Sequence, residues 1–162
     1  MWDIVGIAVL GLLVIYALRR AGYLGGTGGT SLEQALTNSA QFLEDNGKKD
    51  NVITTDSGLQ YEILEKGEEG RSPTISDKVR VHYHGTLLDG TVFDSSVERG
   101  EPISFGLNQV IPGWTEGMQK ASIGGKIRLW IPANLGYGKR RIGNIPPGSL
   151  LIFDVELIDI EG

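Results

Sequence analysis

Apolar and polar residues alternate without a break along Lys78-Val79-Arg80-Val81-His82-Tyr83-His84. Successive side chains of a strand point to opposite faces. The pattern therefore predicts a strand with Val79, Val81 and Tyr83 turned inward and Lys78, Arg80, His82 and His84 toward water. Leu88-Asp89-Gly90-Thr91 reads as a tight turn, Asp-Gly supplying the positive φ such turns need, and the chain returns through Val92-Phe93-Asp94. Alternation resumes from Lys126 to Ile131, with Ile127, Leu129 and Ile131 on one side. Leu151, Phe153, Val155 and Leu157 then alternate with Ile152, Asp154, Glu156 and Ile158. Residues 110–118 break this period and read as a short helix: Pro112 fits a first turn, and Trp114 and Met118 share a face. The pattern predicts an α+β fold, a twisted antiparallel β-sheet wrapped around one short α-helix.

The front of the chain predicts two more helices, one hydrophobic and one short and amphipathic. Ser31-Leu32-Glu33-Gln34 has the form of a capping box. Leu32, Leu36 (or Ala35), Ser39/Ala40 and Leu43 mark an apolar face, and Asn46-Gly47 ends the helix. Before it, Gly25-Gly26-Thr27-Gly28-Gly29-Thr30 lacks the Lys and the strand-loop-helix setting of a phosphate loop, and reads as a flexible linker. Residues 4–18 are uncharged and apolar, and Arg19-Arg20 follows. As a helix this run rises about 22 Å against a hydrocarbon core of roughly 30 Å, a gap that Trp2 and snorkelling arginines close. A signal peptide starts basic and has small residues before its cut. This segment starts Trp2-Asp3, so the expectation is an uncleaved single-pass anchor in the cell inner membrane, with a signal segment as the alternative. The chain divides into an anchor (1–20), a Gly-rich linker (21–30), a short helix and connector (31–56) and a folded domain (57–162).

Composition narrows the chemistry. Across 162 residues the net charge is −5 and the pI near 5.0, which argues against a nucleic-acid partner. With no cysteine, disulfides and thiol catalysis are excluded, while the redox compartment stays open. His82 and His84 stand two apart on one strand face, but no further histidine and only scattered carboxylates accompany them, so no metal is expected. Nothing resembles a nucleophile elbow or triad, and no cofactor is implied.

What remains is a set of separated aromatics: Tyr83, Phe93 followed by Asp94, Trp114, Tyr137 and Phe153. Aromatics spread over a sheet are as a rule plain core. With one carboxylate and no nucleophile, they also suit a pocket that grips an apolar ring. Val81-His82-Tyr83-His84-Gly85, Asp89-Gly90-Thr91-Val92-Phe93-Asp94-Ser95-Ser96, Val110-Ile111-Pro112-Gly113-Trp114, and Ile145-Pro146-Pro147 through Leu151-Ile152-Phe153-Asp154-Val155-Glu156-Leu157 resemble the FKBP family of peptidyl-prolyl cis-trans isomerases. The resemblance covers residues 57–160. Thr54-Thr55-Asp56-Ser57-Gly58-Leu59-Gln60-Tyr61 and Ser95-Ser96-Val97-Glu98-Arg99-Gly100-Glu101-Pro102-Ile103-Ser104-Phe105 are similar to the bacterial macrophage-infectivity-potentiator (Mip) branch.

The resemblance implies rotamase activity on proline-containing polypeptides, with macrolides of the FKBP class as inhibitors. It makes Trp114 the floor beneath the proline ring and Tyr83, Phe93, Val110, Ile111 and Phe153 the walls, with Ile103 and Ile145 as further apolar walls. Asp94 becomes a rim positioner beside Arg99, while the Ile111 N–H and the Tyr137 phenol donate to substrate carbonyls. It also implies a periplasmic domain, whereas Arg19-Arg20 after the span and Asp3 before it point to the cytoplasmic face. Mip-like relatives dimerise through longer N-terminal helices; the short stub here gives a homodimer little support. Gly138-Lys139-Arg140-Arg141-Ile142-Gly143-Asn144 replaces a longer, more apolar flap with a short basic loop. That loop favours the rival reading, a non-catalytic chaperone or binding module holding proline segments in the same cleft.

Overall fold

A computed structural model describes residues 30–161. Helix α1 (Thr30–Asn46) is followed by β1 (Ile53–Thr54), β2 (Gln60–Glu65), β3 (Lys78–Thr86), β4 (Val92–Ser95), helix α2 (Ser96–Arg99) and β5 (Ile103–Gly106). Helix α3 (Pro112–Gly117), β6 (Lys126–Ile131) and β7 (Leu151–Ile160) complete the order. The strands form a 7-stranded sheet in the order β1-β2-β6-β7-β3-β4, with β5 also on β3. Every pairing is antiparallel. β3 organises the sheet: β7 runs along one edge, while β5 (Val79↔Phe105, Val81↔Ile103) and β4 (His84↔Ser95, Gly85↔Asp94) share the other. The predicted turn forms as expected, with Gly90 at φ 88 and the Leu87 N–H donating to Thr91 O at 2.9 Å.

The alternating strands bury the predicted face. Val79, Val81, Ile127, Leu129, Ile131, Leu151 and Leu157 are fully buried, and α3 lies against them. The helix sits unusually close because two of its residues lack side chains. A Cβ on Gly113 would come within 2.5 Å of Ile131 Cγ2, and one on Gly117 within 2.6 Å of Leu129 Cδ2. Pro112 occupies the first turn, where its missing N–H costs nothing.

The opposite face carries a second, smaller core that the alternation concealed. Trp130 and Leu150 pack there with Val52, and Phe42, Leu43 and Ile152 close over them. Trp130 and Ile152 have outward parity, yet α1 covers them. Helix α1 opens at Thr30, so Ser31 falls inside it and the capping-box boundary shifts by one residue. Its inner face is the Leu32, Ala35, Ser39 and Leu43 alternative of the expected stripe, joined by Phe42 and Asn46, whereas Leu36 and Ala40 stay exposed. A polar clasp fixes its end, with Asn46 Nδ2 donating to Gln60 Oε1 (2.9 Å) and Gln60 Nε2 to Leu43 O (2.7 Å).

The expected inner-membrane anchor is corrected: no helix among the described residues is long and apolar enough to cross a membrane. The longest of them, α1, exposes Glu33, Glu44 and Asp45 and lays its apolar side on the sheet instead. The run at 4–18 lies outside the described residues.

Candidate active site

Strand register brings the polar part of the site together. Opposite the end of β3, β4 delivers Asp94 to Tyr83, whose hydroxyl donates to Asp94 Oδ2 at 2.5 Å. One helical turn later Arg99 reaches back. Its Nη1 donates to Asp94 Oδ1, its Nη2 to the Tyr83 oxygen at 3.1 Å, and its guanidinium stands 5.7 Å from the Tyr83 ring centre. The turn that aims it is capped at both ends. Ser95 Oγ accepts the Glu98 N–H, and Gly100 takes the left-handed φ of 75 that closes a helix.

The two histidines face inward company rather than water. Ser96 is fully buried and its Oγ accepts the Tyr83 N–H at 2.7 Å while contacting His82 Nδ1 at 2.9 Å. Ser95 Oγ meets His84 Nδ1 at 2.8 Å. The strand parity was read correctly, but the Ser95-Ser96 corner folds over that face and half-buries both rings. Each imidazole is thereby engaged by a serine.

The apolar part is a chain of edge-to-face rings. Trp114 on α3 meets Tyr83 (5.5 Å, 89°), Phe153 (5.3 Å, 84°) and Phe105 (5.2 Å, 68°). Phe153 in turn meets Phe93 (5.3 Å, 89°) and Tyr83 (6.1 Å, 60°). Such T-shaped pairs set a positive ring edge against a negative ring face, which fixes each ring's tilt. Val110, Ile111, Tyr137 and Ile145 are buried in the same cluster, and Phe93 and Ile103 pack on it half-buried. Ile145 directly follows the basic loop and is held by a two-way backbone pairing with Ile142 inside it. At the mouth of α3, Ile111 O accepts from the Trp114 and Thr115 N–H groups, whereas the Ile111 N–H meets no acceptor among the described residues.

Electrostatics hold Tyr83 and Arg99 each in one protonation state. Burial first, then the neighbouring Asp94 carboxylate, push the Tyr83 phenol far above its ordinary pKa, so it remains a neutral donor. Burial opposes the charge on Arg99, but its hydrogen bonds to Tyr83 and Asp94 and their attraction outweigh that and raise its pKa. Both Asp94 oxygens are taken, one by each partner. With one partner on each oxygen, the carboxylate ties the Tyr83 hydroxyl to the Arg99 guanidinium. The arrangement can hold an apolar ring against rigid aromatic edges and offer a backbone donor beside it. Neither task calls for a metal or cofactor.

Sequence reading missed the residues that make room for this set. A Cβ on Gly85 would lie 2.7 Å from Phe93 Cζ and 2.9 Å from Phe153 Cε1, so β3 must be bare there. Gly113 and Gly117, the Ser95-Ser96 corner and Phe105 were likewise passed over as site residues. A signal existed for two of them: glycines four apart in an otherwise ordinary helix imply a close approach.

Two family models match the chain. One, described as FKBP-type peptidyl-prolyl cis-trans isomerase, covers residues 69–158, and one described as the domain amino-terminal to it covers 29–63. The chain is 54% identical to the FKBP-type isomerase FkpA of Aeromonas hydrophila over 121 residues, 75% of this chain and 45% of that one. It is 53% identical to the FKBP-type 22 kDa isomerase of Escherichia coli over 121 residues, 74% of this chain and 58% of the relative. The chain thus spans about half the length of these curated relatives. Among solved structures, E. coli FkpA superposes with a TM-score of 0.77 at 47% identity, covering 80% of this chain and 61% of that one. A peptidyl-prolyl cis-trans isomerase of Pseudomonas syringae pv. tomato gives 0.75 at 34% identity, covering 85% of this chain and 100% of that one.

Proposed function

The chain belongs to the FKBP-type peptidyl-prolyl cis-trans isomerase family, and on that premise we propose that it catalyses rotation about X-Pro peptide bonds of folding polypeptides. The single observation that carries the proposal is the convergence of Tyr83 and Phe153 on Trp114, with Phe93 against Phe153, beside an Ile111 N–H with no acceptor among the described residues. Uncatalysed X-Pro rotation takes tens to hundreds of seconds. Reaching about a millisecond needs a barrier lower by roughly 6–7 kcal/mol. No acid or base is required. The planar imide is charge-separated and water stabilises it; the twisted transition state is less polar. A box walled by rings that exclude water therefore raises the planar form relative to the twisted one. The Ile111 N–H and the Tyr137 hydroxyl then hold flanking carbonyls, each such bond worth about 1–3 kcal/mol when buried. Asp94 and Arg99 keep the Tyr83 wall rigid. Ile103, Ile145 and Val110 complete the apolar lining, and macrolides of the FKBP class are candidate ligands of the same box.

The test is a protease-coupled or NMR-exchange assay on a neutral proline tetrapeptide. The parent chain accelerates exchange, whereas Phe93→Ala, whose ring is half-buried, and Asp94→Ala turn over at least tenfold more slowly while keeping the native circular dichroism. Parent-like rates in both variants sink the assignment. Binding of the peptide without any rate enhancement by the parent chain would instead favour a holding module.

A further inference from the structure

A groove of about 480 Å³ lies between α1 and residues 132–140, lined in part by the basic loop itself. Leu36, Ala40 and Leu43 of α1 form one wall, and Pro132, Lys139 and Arg140 form the other. We propose that this groove is a second substrate contact, taking an acidic residue with an adjoining apolar side chain from the same polypeptide whose proline enters the aromatic box. The inference rests on the isomerase reading above and names the substrate class it prefers.

Charge carries the argument. Arg140 Nη1 is shut off from solvent and finds no hydrogen-bond partner among the described residues. A guanidinium cannot shed its proton, so this is a permanent charge with a shielded and unanswered donor. The other two partly buried arginines differ: Arg99 meets Asp94 and Arg128 meets Asp154. Lys139 beside it is exposed and makes no ion pair among the described residues, so the rim carries two uncompensated cations. The opposite wall is apolar apart from Ser39, and Leu36 is left 37% exposed along it. A carboxylate lying against the half-buried Arg140 side chain and Lys139 would answer both charges, and an apolar neighbour would cover the leucines.

Position ties the groove to the box. Tyr137 belongs to the buried aromatic cluster and Gly138, the next residue, already lines the groove, so the two sites share one stretch of backbone. That stretch is pinned: the Gly138 N–H donates to Ala133 O at 2.7 Å, and the Gly148 N–H to Gly138 O at 2.8 Å. Arg140 is therefore displayed from a fixed base.

The experiment compares three peptides with the full chain: the neutral proline tetrapeptide, the same peptide extended with Glu-Leu segments, and one extended with Lys-Leu segments. The acidic extension should raise kcat/KM about tenfold over the lysine one, the size expected for one charge-assisted hydrogen bond. That preference should vanish in Arg140→Gln and in high salt, while the neutral tetrapeptide stays unchanged. Arg140→Gln should melt no lower than the parent, since it removes an unpaired charge. Equal rates for the two extensions in the parent chain overturn the proposal and leave the isomerase reading standing. If even the neutral peptide is not isomerised, that reading fails. Fluorescence anisotropy of a proline-free Glu-Leu peptide then judges the groove alone: salt-sensitive binding lost in Arg140→Gln supports it, and its absence refutes it. Self-association abolished by Arg140→Gln assigns the groove to a second copy and overturns the substrate contact.

Discussion

Replacing Gly113 by alanine tests the link between helix packing and the box most directly. The new methyl would stand 2.5 Å from Ile131 Cγ2, 2.8 Å from Cγ1 and 2.9 Å from Cδ1. Carbon atoms rest at about 3.5–4.0 Å, so a gap of roughly 1 Å has to open between α3 and β6. Ile131 is fully buried and cannot swing away. Overpacking of this kind costs about 1–3 kcal/mol, and alanine returns at most about 1 kcal/mol through helix propensity. Near the upper end of that cost, expected because Ile131 cannot move, the net loss is about 2 kcal/mol and lowers Tm by roughly 5–10 °C in a domain of this size. Trp114 follows Gly113 directly, so the shift is delivered to the box floor; misplacement of 1 Å is worth up to about a hundredfold in rate. Calorimetry and the tetrapeptide assay are run on Gly113→Ala, Ile131→Ala and the double variant. Ile131→Ala removes all three clashing atoms, so the double variant should be more stable than the sum of the singles by about 1 kcal/mol or more. A Gly113→Ala protein with unchanged Tm and activity, or a strictly additive cycle, refutes the close-approach argument.

Three further outcomes follow from the same geometry. Gly85→Ala should fold but lose turnover, because its methyl displaces both Phe93 and Phe153; parent-like kcat/KM would show that those rings have slack. Arg99→Leu should lower the urea-derived stability by about 2–3 kcal/mol, below the full cost of breaking a buried pair because Arg99 is 15% exposed. Asp94→Asn in that background should recover part of the loss, and no recovery would mean the carboxylate is not the strained group. The Tyr83 phenol has a raised folded-state pKa, so its contribution is intact below the unfolded value of about 10 and is lost as pH rises above it. Urea midpoints measured through that range should decline more steeply for the parent than for Tyr83→Phe, and identical slopes would contradict the shift.

Much of the fold was legible because its strands obey a single period. Val79, Val81, Ile127, Leu129, Leu151 and Val155 are buried where alternation put them. Alternation misled only where a third element covers the nominally wet face: α1 over Trp130 and Ile152, and the Ser95-Ser96 corner over His82 and His84. A period-two pattern reports which residues share a face and says nothing about what lies across it. The aromatic set and its carboxylate could be picked out by residue type and resemblance, whereas the glycines that let the rings meet could not. Gly85, Gly113 and Gly117 act by absence, and only the distance to a neighbour reveals it. The Arg99 reach, five residues from Asp94, depended on a four-residue helix with Ser95 and Gly100 at its ends.

Strand β7 is the last of the described elements, yet it lies in the interior of the sheet between β6 and β3. Its register with β3 joins Val79 to Ile160, so the longest ladder is also among the most distant in sequence. During synthesis β6 and β3 have no shared neighbour until residues 151–160 leave the ribosome, and Phe153 is still missing from the ring cluster. The domain is therefore expected to complete its sheet late, in one closing step dominated by long loop closures. A chain proposed to hasten the folding of others has itself a topology that cannot finish before its final strand is made.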